Sequence, residues 1–174
     1  MQDYRNIFKE IVERHKNHSK WEEGDFIGIK SISNTKVGAV GQDFIESLCN
    51  ILNIPVEFPL NKNNKRATQS PWDIKINDVR FELKTATEDT NGKFQFNHLR
   101  YHRDYQAVIC LGVSPNDLYF NLWSKADIVT GKAGKLVSME KSANASYKLT
   151  KAKNDLFHLD TFEQNVIEFT ENFE

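Results

Sequence analysis

Two short runs of alternating apolar and polar residues, Trp72-Asp73-Ile74-Lys75-Ile76 and Val79-Arg80-Phe81-Glu82-Leu83-Lys84-Thr85, are separated only by Asn77-Asp78. Alternation of period two is strand patterning, and an Asn-Asp pair between such runs suits a two-residue hairpin turn. That turn sets a register in which Ile76 faces Val79, Lys75 faces Arg80, Ile74 faces Phe81 and Asp73 faces Glu82. Trp72, Ile74, Ile76, Val79, Phe81 and Leu83 then share the core face, with Asp73, Lys75, Arg80, Glu82 and Lys84 on the other. Directly opposed strand residues hold their Cβ atoms ~4.5–5.5 Å apart, where like charges are destabilising. The opposed Asp73 and Glu82 therefore ask for a cation. Hard carboxylate oxygens beside a lysine suit Mg²⁺, which completes its shell with water and phosphate oxygens. Lys75 and Arg80 could instead neutralise the acids without metal, which leaves an ordinary charged outer face as the alternative.

The remaining segments frame this hairpin. Helical spacing places Tyr4, Ile7, Phe8, Ile11 and Val12 on one face of a segment from Asp3 to His18. A second helix is expected over Val37 to Asn53, with Val40, Phe44, Leu48, Ile51 and Leu52 on one face, ended by Ile54-Pro55. Strands are expected at Val56 to Phe58, Ala107 to Val113 and Leu118 to Trp123, and near Ser146 to Thr150. The almost wholly apolar Ala107 to Val113 belongs at the sheet centre. Ser124 to Asp127 and Asp160 to Glu163 have the spacing of capping boxes opening two more helices. The fold class this predicts is α/β in the α+β sense: a mixed central β-sheet flanked by helices. One domain over 1–174 is expected, with an N-terminal helix and arm (1–36), a core (37–128), and a Lys-rich loop region and C-terminal helix (129–174). No apolar run reaches the ~20 residues that span a bilayer, and Cys49 and Cys110 sit among apolar neighbours, so the expectation is a cytoplasmic protein with buried thiols and no membrane partner.

A formal net charge of -1 argues weakly against a nucleic-acid partner until the charges are located. Residues 125–153 hold seven lysines against Asp127 and Glu140, residues 61–66 hold three cations, and residues 154–174 hold six acids with no Lys or Arg. The chain is locally basic in two places and acidic at its tail. The stretch Phe94 to Arg103 interleaves aromatics, amides and bases, so Arg100 and Arg103 suit phosphates while Gln95, Asn97 and His98 suit base edges. Lys141, Lys148 and Lys151 are further candidates for phosphate contact. His98 and His102 stand four apart and would chelate Zn²⁺ on a helix, but no third ligand is evident.

An acidic residue in a helix, an Asp just after a Pro (Pro71-Trp72-Asp73), and Glu-x-Lys on the next strand (Glu82-Leu83-Lys84) resemble the PD-(D/E)XK nuclease superfamily, in particular small type II restriction endonucleases. The resemblance spans Gly38 to Asp127, taking in the Gly-Gln-Asp-Phe-Ile-Glu, Phe-Gln-Phe-Asn and Leu-Tyr-Phe-Asn-Leu-Trp-Ser-Lys segments. It implies an αβββαβ core. It further implies catalytic Asp73, Glu82, Lys84 and Glu46, the last being the helix acid with Gln42 as its substitute. Mg²⁺ would be held by Asp73, Glu82 and the Leu83 carbonyl, with Lys84 orienting the attacking water. The implied activity is sequence-specific hydrolysis of double-stranded DNA, leaving 5′-phosphate and 3′-hydroxyl ends, by a homodimer. Alternatives are a strand-nicking cleavage subunit beside a larger recognition subunit, and a non-catalytic DNA-binding module of the same fold.

Overall fold

The computed structural model describes residues 21–67, 69–142 and 144–173. The amphipathic segment Asp3 to His18 lies outside them. Among the described residues, two sheets and three α-helices make up the frame. A six-stranded mixed sheet has the order β1 (Val56–Glu57), β2 (Ile74–Ile76), β3 (Val79–Thr87), β5 (Ala107–Val113), β6 (Leu118–Ser124) and β9 (Phe157–His158). A smaller antiparallel sheet has the order β4 (Lys93–Leu99), β8 (Tyr147–Ala152) and β7 (Leu136–Ser138). The helices are α1 (Asn34–Ile51), α2 (Lys125–Val129) and α3 (Phe162–Glu171). The molecule is thus a mixed α+β fold with a central mixed sheet flanked by helices. Among the described residues no helix is long and apolar enough to cross a membrane.

The hairpin forms in the register its turn dictates: Ile74 pairs Phe81, Lys75 pairs Arg80 and Ile76 pairs Val79. Asn77 and Asp78 take φ of 46° and 70°, the doubly positive geometry whose twist matches that of the flanking strands. Every residue of β5 is buried, as its composition requires, between parallel β3 and antiparallel β6. One face of the sheet (Ile74, Ile76, Phe81, Leu83, Ile109, Leu122) packs against Ile45 and Cys49 of α1 and against Phe162 and Val166 of α3. The other face (Ala86, Val108, Cys110) packs against Phe94, Phe96, Leu99 and Leu149 of the small sheet. So the polar side of the hairpin is covered as well, and Glu82 is only 2% exposed.

Three expectations change. Parallel β3 and β5 need a crossover, and the segment an αβββαβ core would fold as its second helix forms β4, a strand of the small sheet. Helix α1 is rotated from its expected face: Gly41, Ile45 and Cys49 are buried, whereas Ile51 is 75% exposed. The cause is Gly41, where a Cβ would stand 1.8 Å from Thr85 Oγ1, so only glycine lets the helix axis come this close to β3. The helix ends in a Schellman motif, with Asn53 at φ 55°, Ile54 N–H donating to the Cys49 carbonyl at 2.9 Å and Asn53 N–H to that of Asn50 at 3.2 Å. Finally, Trp72 packs with the small-sheet cluster and not with Ile74 and Phe81. The ladder slips by one residue at that point, since Asp73 N–H bonds the Phe81 carbonyl at 2.8 Å, and a one-residue slip sends side chains to the opposite face.

Candidate active site

A cleft of about 760 Å³ opens between the first two turns of α1, the second half of β3 and the outer side of β4. Asp73, Glu82, Leu83, Lys84, Gln42, Gln95, Asn97, His98 and Arg103 all line it. A larger cleft of about 930 Å³ lies elsewhere, between β6 and α3, but its acids are only Asp127 and Glu168, and Asp127 is paired with Lys132 at 3.1 Å. The smaller cleft is where the chemistry-bearing side chains converge.

Each acid arrives by a different route. Glu82 stands in the middle of β3, beside Val108 of the central strand, with its carboxylate buried. Its Oε1 is 2.5 Å from Lys84 Nζ, on the same face two residues on. Its Oε2 is buried and has no hydrogen-bond partner among the described residues. Burial pushes the Glu82 carboxyl above its ordinary range, an effect opposed by Lys84, reinforced by the negative charge of Asp73 and opposed again by Arg103. Asp73 precedes β2, where the ladder stops. Its Oδ2 accepts the Leu83 N–H at 2.8 Å, so the side chain takes the donor that a continuing strand would have taken.

The cations that would neutralise the acids in an ordinary outer face are engaged elsewhere. Lys75 pairs with Glu57 at 2.8 Å and Asp78 at 3.5 Å, and Arg80 pairs with Asp104 at 2.8 Å. Lys84 and Arg103 are what remain around the two acids. Among the described residues no group of three or more His, Cys, Asp or Glu side chains is arranged to hold a metal. What the cleft brings together is the Asp73 and Glu82 carboxylates beside Leu83. That donor set fits Mg²⁺, which keeps several waters and takes phosphate oxygens for the rest, and it does not fit Zn²⁺. The orphaned Glu82 Oε2 is the observation that favours a cation here.

The helix residue on the cleft wall is Gln42. Glu46, the expected helix acid, bonds Arg66 Nη1 at 2.6 Å and does not line the cleft. The rotation of α1 about Gly41 and the pull of the 61–66 loop account for this. Of the other candidates, Gln95 and Asn97 project from alternate positions of β4 into the cleft, while Arg100 lies outside it. Lys148 shares the outward face of the small sheet with Gln95 by strand alternation but does not line the cleft. Lys151, opposite Phe94, turns inward with its ammonium 5.0 Å from the Trp123 ring, and Lys141 is exposed on the loop before β8. His98 ends a strand and His102 lies in the following turn, so the helical spacing needed for a zinc pair is absent.

Several cleft residues were not anticipated: Asn34 and Thr35 at the start of α1, and Asp89. Asp89 accepts the N–H groups of Asn91 at 2.8 Å and Lys93 at 3.0 Å and the Gln95 amide at 3.2 Å, which fixes the β3–β4 turn and the Gln95 side chain together. The Asp-x-Asn pattern of an Asx turn was the available signal.

The sequence matches no protein-family model and no curated protein. Among solved structures the chain is similar to a bacterial homing endonuclease, I-Ssp6803I, at 9% identity and a TM-score of 0.48, covering 82% of this chain and 99% of that one.

Proposed function

We propose that the chain is a Mg²⁺-dependent deoxyribonuclease of the type II restriction class, hydrolysing phosphodiester bonds in double-stranded DNA to leave 5′-phosphate and 3′-hydroxyl ends. The observation that carries this reading is the buried, unpaired Glu82 Oε2 in a cleft that Asp73, Leu83 and Lys84 also line. Mg²⁺ bound by Asp73, Glu82 and the Leu83 carbonyl would offset the charge that develops on a phosphate during displacement. Asp73 is held for that task by the Leu83 N–H, which occupies Oδ2 and leaves Oδ1 for a ligand. Lys84 brings a donor to the cleft beside Glu82, where it orients a water for attack and stabilises the hydroxide formed from it. Arg103, in the same cleft, supplies a second fixed positive charge for the phosphate. Gln42, Gln95 and Asn97 offer amide groups to the flanking sugar-phosphate and base edges.

The test is incubation of the purified protein with supercoiled plasmid and phage DNA, with Mg²⁺ or with chelator, followed by mapping of the ends. Discrete fragments with Mg²⁺ alone, lost in Glu82→Gln, support the reading. Double-strand breaks call for two such sites, which a homodimer provides. Nicked circles as the end product point to a cleavage subunit that works beside a larger recognition chain. Binding without cutting in any divalent metal would overturn the catalytic reading in favour of an inert module.

A further inference from the structure

The end of β4 is bent on purpose. The β4–β8 ladder shifts between Phe96 and Leu99, and His98 takes φ 59°, a left-handed conformation uncommon for a residue with a side chain. Such backbone persists where its surroundings over-determine it, and bulges re-aim side chains at functional sites. Here Met139 and Ser146, between β7 and β8, do the holding. His98 N–H donates to Met139 Sδ at 3.4 Å, Met139 N–H bonds the Ser146 carbonyl at 2.9 Å, and His98 Nδ1 lies 3.2 Å from Ser146 Oγ.

The proton positions in this group follow from its chemistry. The Glu140 carboxylate only accepts, so at 2.9 Å it takes the Ser146 hydroxyl hydrogen. Ser146 Oγ, fully buried, is then left to accept, and its neighbour is His98 Nδ1. Glu140 Oε1 itself stands 3.9 Å from the same nitrogen and favours a proton there. In the neutral imidazole Nδ1 is therefore the protonated nitrogen and Nε2 carries the lone pair. Nε2 makes no hydrogen bond among the described residues, and the ring stands in the cleft wall with 55% of the side chain exposed.

We propose that His98 is a specificity-determining residue whose tautomer is set by Ser146 and Glu140, so that Nε2 accepts a hydrogen bond from the exocyclic amino group of a base. In the major groove that group is adenine N6 or cytosine N4, and guanine and thymine, which present acceptors there, are rejected. The inference rests on the nuclease reading for its ligand, but the tautomer does not.

Two measurements test it. Long-range ¹H–¹⁵N correlation of the free protein, with His98→Gln to assign the ring, should show the Nδ1–H tautomer in the wild type and a shift toward Nε2–H in Ser146→Ala. A wild type already in the Nε2–H form overturns the proposal. Selection of bound duplexes from a randomised DNA pool should give one position restricted to adenine or cytosine, at which Ser146→Ala lowers discrimination by about tenfold while the other positions hold. Replacing the selected base by an analogue lacking the amino group should cost the wild type the same factor and the Ser146→Ala variant little. Cleavage and selection that Ser146→Ala leaves unchanged at every position overturn this proposal alone. Failure to bind DNA overturns both this base reading and the nuclease reading, even with the tautomer as stated.

Discussion

The Asp73 carboxylate takes the backbone N–H of Leu83 at 2.8 Å, so the acid that precedes β2 is fastened to the residue between Glu82 and Lys84. The two acids and the lysine of the cleft are thereby tied together through one hydrogen bond. A bond of this kind, with a charged acceptor, is short and stronger than its neutral counterpart. It also fixes the Asp73 side chain beyond the end of the short β2 ladder, which covers only Ile74 to Ile76.

Asp73→Asn keeps an oxygen for the Leu83 N–H and removes the charge. Its fold, read by circular dichroism, should match the wild type. Mg²⁺-dependent cleavage under single-turnover conditions should fall by about 100-fold or more, as should that of Glu82→Gln. Cleavage within a few-fold of wild type in either variant would sink the metal assignment.

Stability should carry a pH signature from Glu82. Because burial raises the carboxyl above its ordinary value of 4.5, the folded state favours the protonated form. That contribution is complete below the ordinary value and is lost as pH rises through the higher folded value. In thermal melts from pH 4 to 8 without metal, the wild type should lose more stability with rising pH than Glu82→Gln does. Parallel curves would remove the basis for the argument. Adding Mg²⁺ at neutral pH should raise the melting temperature of the wild type and leave Glu82→Gln unmoved.

Gln42 and Glu46 are one helical turn apart and their roles separate cleanly. Glu46→Ala breaks a partly exposed pair with Arg66 and should cost no more than about 1 kcal/mol, with cleavage retained. Gln42→Ala changes the cleft wall and should lower cleavage while the melting temperature holds. The reverse pattern would return Glu46 to the site.

At Gly41 even a methyl group has no room. Gly41→Ala should destabilise the protein by about 1–3 kcal/mol in urea melts, because the clash with Thr85 forces α1 away from β3. Thr85→Ala in the same chain should recover part of the loss. Full stability in the single variant would show that the helix sits farther from the sheet.

What the residues made legible, and what they hid, divides along physical lines. The hairpin was readable because period-two alternation and a turn demanding positive φ act within a dozen residues. Asn77 and Asp78 determine their own geometry, and Ile74, Phe81 and Val79 follow. The rotation of α1 was not readable from hydrophobicity, because its cause is the absence of a side chain at Gly41 meeting Thr85, more than forty residues away along the chain. Glu46 looked like a site acid for the same reason, and only the position of Arg66 in three dimensions shows where its charge is spent. The second sheet was hidden because β4 and β8 are separated by three strands and a helix, and nothing local announces that Gln95 will face Thr150. The buried Glu82 followed from that unseen cover. An alternating strand predicts two faces, but it cannot tell that the polar one will also be roofed.

The strand that links β3 to β5 also walls the cleft, and its two tasks fall on different side chains. Phe94, Phe96 and Leu99 are wholly buried and hold the sheets together, while Gln95, Asn97 and His98 face the cleft. The buried set is the frame and the cleft-facing set is like type mounted on it. On the proposed function, changes at Gln95, Asn97 and His98 alter what the cleft contacts while Asp73, Glu82 and Lys84 behind them stay the same.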